Sequence, residues 1–236
     1  MAESPRARTP EARTARAEKI LDVTRDLLLR LGYRRTTIDD VAKEAGIGKG
    51  TIYLHWRTRE ALFDAVFRRE ANEAAADLVA AMRSDPEVVL LSRQARMFVS
   101  TLLRRPLLRA LVVGDLEIIG KIAADTDAVL EGRQDAFYKQ YLEVLAEHGL
   151  IRTAFDTDEL YFVYQSVCVG FVLSESLFLE PNRVPADRMV ELLGATVQQA
   201  FEPADPPSPE AVRAAAARSI DIFQEMVDST RTYLQS

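Results

Sequence analysis

The sequence predicts an all-α protein, and three observations carry that reading. Apolar residues recur three and four apart along most of the chain, and no segment sustains the alternation of a half-buried strand. No Asn-Gly or Asp-Gly pair offers a tight hairpin turn. Start and stop chemistry typical of helix ends also punctuates the apolar stripes. With 236 residues and 48% hydrophobic content, the chain can bury a substantial core without staples. Its single cysteine, Cys168, excludes an intramolecular disulfide framework and a Cys-rich zinc module, and points to a reducing, cytoplasmic setting.

The first helix carries Ala17, Ile20, Leu21, Thr24, Leu27, Leu28 and Leu31 on one face, and Gly32 stops it. In Thr36-Thr37-Ile38-Asp39-Asp40 a threonine hydroxyl can accept from an orphan N–H, which opens a short helix burying Ile38, Val41, Ala42 and Ala45. Gly46-Ile47-Gly48 breaks the chain, and a second short helix is expected from Lys49 to Trp56. Thr58 caps a fourth helix with Leu62, Phe63, Val66, Phe67, Ala74, Leu78 and Met82. Asp85-Pro86-Glu87 has the order of an N-cap and first turn for a fifth helix, which Pro106 stops or kinks. Residues 107–123 read as a helix broken near Gly114 and Gly120, and Asp125 to His148 as a long helix ended by Gly149. Asp156-Thr157-Asp158-Glu159 has capping-box spacing and opens a helix to about Leu179. A helix over 186–201 follows the Pro181 to Pro185 loop. Residues 203–209 hold four of the ten prolines and read as a stiff linker before a final helix, Pro209 to Leu234, whose default place is against the second domain. No internal repeat appears.

Charge is uneven along the chain. Residues 1–60 hold 13 Lys and Arg against 9 Asp and Glu, although the whole chain is at −6. A locally basic unit on an acidic body suits a protein that turns one face to a polyanion. The amino terminus has arginines but no apolar run behind them, so it does not read as a secretory signal. The longest uncharged stretch, Leu160 to Ser174, is 15 residues, short of the roughly 20 needed to span a bilayer as a helix. No membrane association is expected.

Two short helices joined by a glycine turn, with a longer helix on either side, follow helix-turn-helix grammar. Thr36 and Thr37 at a helix N-terminus offer a phosphate contact, with capping as their other role. Lys49, Thr51, Tyr53 and His55 are the polar side chains of the second short helix, whose other face, Ile52 with Leu54 or Trp56, must pack inward. Such a helix can enter a major groove, with Lys49 on guanine or phosphate, the Thr51 methyl on thymine, and Gly50 letting the backbone come close.

Gly32 through Leu62, GYRRTTIDDVAKEAGIGKGTIYLHWRTREAL, closely resembles the TetR-family DNA-binding domain. The resemblance covers roughly residues 14–74. It implies that Tyr53 and His55 grip the DNA backbone, with Arg59, and secondarily Arg57, beside them. Trp56 stands where the family more often has Phe. Gly48 stands where Ser is usual, so a cap and a phosphate-binding hydroxyl are lost there. The expected DNA-binding set is Thr36, Thr37, Gly48, Lys49, Gly50, Thr51, Tyr53, His55 and Arg59. The expected layout is a flexible arm over 1–13, the DNA-binding domain over 14–74, a ligand-binding and dimerisation domain over 75–202, the linker over 203–209 and a C-terminal helix over 210–236. Arg6, Arg8, Arg13 and Arg16 are read as an arm that either tracks phosphates or the minor groove, or is merely solvated.

Nine of the 18 aromatics fall between Phe137 and Phe178. Core packing accounts for most of them, but the resemblance implies a small-molecule pocket among such helices. Tyr138 and Tyr141 share a face, as do Tyr161, Tyr164, Gln165 and Cys168, with Gln165 the leading pocket candidate and Glu117 a further one. Cys168 reads first as a packing residue. On the opposite face Ser166, Gly170 and Ser174 recur every four residues, and with the 186–201 helix they suggest a four-helix dimer interface, or close packing within one subunit.

Gly46-Ile47-Gly48-Lys49-Gly50-Thr51 follows a helix and separates its Lys from its Thr, unlike a phosphate-binding P-loop. His55 and His148, the two histidines, lie in separate regions, so no metal site and no cofactor are expected. No Gly-x-Ser-x-Gly element appears. The expected protein is therefore not an enzyme. It is a homodimeric, ligand-responsive DNA-binding regulator, a repressor in the simplest version, whose partners are a double-stranded DNA operator, a second copy of itself and a small apolar or amphipathic ligand. The alternative is a helical enzyme or lipid-handling protein whose amino-terminal unit is only structural.

Overall fold

The computed structural model describes residues 10–113, 128–152, 155–177 and 184–235. Among them are ten α-helices and no strand: α1 Pro10–Leu31, α2 Ile38–Ala45, α3 Lys49–Tyr53, α4 Arg59–Ser84, α5 Leu91–Arg104, α6 Pro106–Val113, α7 Ala128–Glu147, α8 Thr157–Leu177, α9 Ala186–Phe201 and α10 Pro209–Gln235. The fold class is the one expected. The suspected break near Gly114 and Gly120, the Pro181 loop, and Arg6 and Arg8 lie outside the described residues.

Local chemistry sets the ends of the two short helices. Thr37 Oγ1 accepts from the Asp40 backbone N–H (3.2 Å) while Asp40 accepts from the Thr37 backbone N–H (3.0 Å), a reciprocal capping box. Gly46 ends α2 at φ 69°, in the left-handed region, where its N–H reaches the carbonyls of Ala42 and Lys43. Lys19 reinforces that end by donating its ammonium to the Ala45 carbonyl (2.9 Å), a cation at the negative end of the helix. The α3 helix is shorter than expected: five residues, with Leu54 and His55 continuing as a turn.

Two apolar clusters organise the chain. Ile20, Leu27, Leu28, Val41, Ile52, Leu62, Phe63 and Val66 close the first, with Tyr33 edge-on to Phe63 at 5.2 Å. Ile52 is fully buried, and Trp56 rather than Leu54 packs beside it, since Leu54 is 76% exposed. The second and larger cluster draws on α4, α5, α7, α8, α9 and α10. Helix α4 serves both clusters, with Leu62 to Phe67 in the first and Val79 and Met82 in the second. No Gly or Pro interrupts it.

Several expected boundaries move. Helix α1 begins at Pro10, so Arg13 and Arg16 belong to a helix rather than to an arm. Asp85 does cap the next segment, accepting from the Glu87 N–H (3.0 Å), but Pro86–Val89 is a 3-10 turn that precedes α5. The segment before α10 starts from a pinned residue: the Glu202 carboxylate, 6% exposed, accepts from the Ser92 N–H (2.7 Å), and its carbonyl accepts from Arg152 Nε (2.8 Å). Helix α10 packs along α4, the 3-10 turn and α7. Buried Ala215, Ala216 and Ser219 leave room for close helix contact, and Phe223 is fully buried between Tyr138 and Tyr141, both at 5.4 Å. The far end of α10 goes beyond its expected place in the second domain: Leu234 packs on the amino-terminal cluster.

Arg105, between α5 and α6, ties those helices to α4. It pairs with Glu70 (3.3 Å), Glu73 (3.0 Å) and Asp77 (2.9 Å). A guanidinium suits this place because its several donors can meet three carboxylates at once.

Candidate functional site

One end of the amino-terminal domain presents the expected polar set. Lys49, Gly50 and Tyr53 are exposed, and Thr51 and His55 are half-buried, on the turn of helix away from Ile52. Lys49 Nζ lies 2.5 Å from Asp39 Oδ1, and that hydrogen bond together with the carboxylate charge raises the ammonium pKa. Gly48 is the N-cap of α3 and makes no side-chain cap hydrogen bond, as the loss of Ser there implies. His55 stacks on Trp56 at 5.3 Å. Burial lowers its pKa first, followed by the charges of Arg13 and Arg16 on α1.

One expected contact is corrected. Thr36 is fully buried, with its hydroxyl donated to the Gly32 carbonyl (2.9 Å) and the Leu27 carbonyl (3.3 Å), so the side chain cannot reach a phosphate. Its exposed neighbour Thr37 takes the capping role. Arg59, half-buried at the start of α4, makes contacts inside the domain. Its guanidinium lies 5.0 Å from the Tyr33 ring and 5.2 Å from the Phe63 ring, with Nε donating to Glu60 (3.0 Å) and Nη1 to the Thr36 carbonyl (3.5 Å). It braces α4 against the start of α2. Leu54, offered in the sequence reading as an inward-packing alternative to Trp56, is instead the most exposed large apolar side chain on this face, and Arg13 and Arg16, read there as arm residues, are helical.

Between the helices of the second cluster lies a cavity of about 250 Å³, bounded by α4, α5, α6, α7, α8 and α10. Tyr138, Tyr164, Gln165 and Cys168 line it, four of the expected pocket residues. Tyr141 does not: it is fully buried and donates its hydroxyl to the Val89 carbonyl (2.8 Å), which anchors the 3-10 turn. Tyr161 sits behind the wall, donating to Asp135 (2.7 Å) and accepting from Gln165 Nε2 (3.3 Å). Glu117 lies outside the described residues. Burial pushes the phenol of Tyr161 and the thiol of Cys168 up to about 12, and raises Tyr138 and Tyr164 as well, so these groups stay neutral near pH 7.

The sequence reading also missed Gln94, 5% exposed on the α5 wall, whose Nε2 has no hydrogen-bond partner. The signal was present, because a lone amide among Leu91, Ala95, Phe98 and Leu102 at helical spacing invites the argument applied to Gln165. The expected dimer residues turn outward. Ser166 and Gly170 are exposed, Ser174 is half-buried, and a Cβ at Gly170 would meet nothing within 4 Å among the described residues. Phe162, one turn before Ser166, is 72% exposed.

Among the described residues no group of three His, Cys, Asp or Glu side chains is placed to hold a metal, and no helix is long and apolar enough to cross a membrane. Fold and site together define an all-α helix-turn-helix protein with a separate helical cavity. Residues 20–66 match the model of the bacterial regulatory proteins, tetR family. The HTH-type transcriptional regulator AcrR of Shigella flexneri is 31% identical over 111 residues, which is 45% of this chain and 52% of its own length. The chain spans about half or less of the length of the curated relatives it matches. Among solved structures, the fatty acid degradation regulator FadR from Bacillus halodurans superposes with a TM-score of 0.59 at 18% identity, over 84% of this chain and 96% of that one. The regulator FadR from Bacillus subtilis, in complex with stearoyl-CoA, does so with a TM-score of 0.53 at 17% identity, over 76% and 96%. At those identities the likeness concerns the fold.

Proposed function

We propose that the chain is a ligand-responsive transcriptional repressor that binds a pseudo-palindromic operator as a homodimer and is released by a small molecule. The observation that carries this reading is that the helix exposing Lys49, Gly50 and Tyr53, with Thr51 half-buried beside them, rests through Ile52 on a cluster into which α4 runs from the cavity wall. Each subunit sets residues 49–55 in a major groove, with Thr37 and His55 at phosphates. One reading helix of five residues specifies too few base pairs for selectivity, so two copies are required. The outward stripe of Phe162, Ser166, Gly170 and Ser174 on α8, with α9 beside it, is where the second copy docks. A ligand that prefers one spacing of the two reading heads shifts DNA affinity, and DNA shifts ligand affinity by the same factor.

The test is capture and sequencing of fragmented genomic DNA by the purified protein, followed by anisotropy over a salt series. Support is one enriched inverted repeat, affinity falling steeply with salt, and loss of binding in Lys49→Ala/Tyr53→Ala with helicity and dimerisation retained. Binding that survives that double substitution removes α3 as the reading helix.

A further inference from the structure

The cavity wall has two properties that together select a ligand class. Among the described residues, none of the 19 that line it is charged. An ion entering it would shed its water with no opposite charge to meet among these residues, which is the costliest way to bury a group. The wall is nevertheless not purely apolar, because Gln94 stands in it with its Nε2 donor lacking any partner in the protein. A buried donor left unmade is a standing cost that a ligand acceptor removes. Of the other two amides in the wall, Asn72 and Gln165, the latter is already engaged with Tyr161.

We propose that the cavity takes an uncharged, mainly apolar carbonyl compound, such as a small ketone, ester or amide, whose oxygen accepts from Gln94 Nε2. This rests on the reading of the cavity as the ligand site. A volume of about 250 Å³ equals roughly eight waters at liquid density, so the ligand has on the order of ten non-hydrogen atoms. Its apolar body lies against Phe98, Leu108 and Met226, contributed by α5, α6 and α10.

Three probes of matched size and shape test the assignment by calorimetric titration of the full chain: acetophenone, its hydrocarbon analogue cumene, and benzoate. Acetophenone should bind wild-type protein about tenfold more tightly than cumene, the worth of one hydrogen bond to an otherwise unpaired donor, and benzoate should bind most weakly. Gln94→Leu should erase the acetophenone preference while leaving cumene affinity within about twofold, and Gln94→Met provides the same comparison should the leucine variant melt early. Equal binding of ketone and hydrocarbon to wild type, a preference for benzoate, or a ketone preference that survives loss of the amide would overturn the role of Gln94. If none of the three binds, the assignment of an uncharged carbonyl ligand to this cavity is overturned, while the DNA-binding reading stands or falls on its own operator test.

Discussion

The guanidinium of Arg68 on α4 lies 5.5 Å from the ring centre of Tyr233 near the end of α10. Arg68 is buried and also pairs with Asp64 at 2.6 Å, one helical turn back. The last turn of the chain is thereby fastened to the part of α4 that belongs to the amino-terminal cluster, while Met226 and Thr230 of the same helix line the cavity.

Tyr233→Ala should therefore cost about 1 kcal/mol of stability in urea melts, the scale of a partly exposed cation–π contact. In anisotropy titrations it should leave ligand-free DNA affinity unchanged and reduce the ligand-induced loss of affinity. An unchanged ligand response would show that α10 only packs.

The adjacent threonines should behave differently. Thr36→Val removes a buried hydroxyl that donates to two carbonyls, and should lower stability by about 1–3 kcal/mol without changing the salt slope of DNA binding. Thr37→Val breaks the capping box, at about 1 kcal/mol, and should also weaken DNA binding. The Asp40 carboxyl is held below its usual range by its hydrogen bonds with Thr37, so that stabilisation is present above pH 3.8 and is lost as pH falls through the folded-state value.

His55 gives a pH dependence of opposite signs for folding and for binding. Its folded-state pKa is below 6.5, chiefly through burial, so its neutral form is favoured in the folded protein. Folding stability is full above 6.5 and declines as pH falls from 6.5 to the folded-state pKa. A DNA phosphate beside the ring favours the imidazolium, so binding takes up a proton and DNA affinity should rise as pH is lowered from about 7.5 toward 6. His55→Gln should flatten that rise in anisotropy measured at constant ionic strength.

Arg96 crosses Gly194 where α5 meets α9. A Cβ built on Gly194 would stand 2.0 Å from Arg96 Nε and 2.6 Å from its Cγ, in the middle of the side chain rather than at its free end. Gly194→Ala should destabilise by about 1–3 kcal/mol, as overpacking does. Arg96→Ala in the same chain should recover most of that loss, a coupling a double-mutant cycle reads directly.

The helix-turn-helix was legible because its signals are local. Thr37 with Asp40, Gly46, and Thr58 each act on groups within a few residues, and the apolar spacing that buries Ile38, Val41 and Ile52 needs no distant partner. Which of two neighbouring threonines faces inward is not local: Thr36 is placed by carbonyls of α1 and the turn that follows it. The same limit explains the cavity. Tyr138 and Tyr141 look alike in sequence, and both meet Phe223, which arrives from the far side of the proline-rich segment, yet only Tyr138 also reaches the cavity. Helix periodicity says that α10 has an apolar face, but not that the face reaches two clusters at once.

The unbroken α4 gives a measure of the motion such a molecule needs. Sixteen residues separate Arg59 from Ala75 on the cavity wall, about 24 Å along a helix axis. A rigid helix pivoting at its cavity end by roughly 5° carries its other end about 2 Å, more than enough to spoil a hydrogen-bonded contact with a base edge. With no Gly or Pro within it, α4 has no kink point between Ala71, Ala75 and Leu78 on the cavity wall and the turn that Arg59 braces.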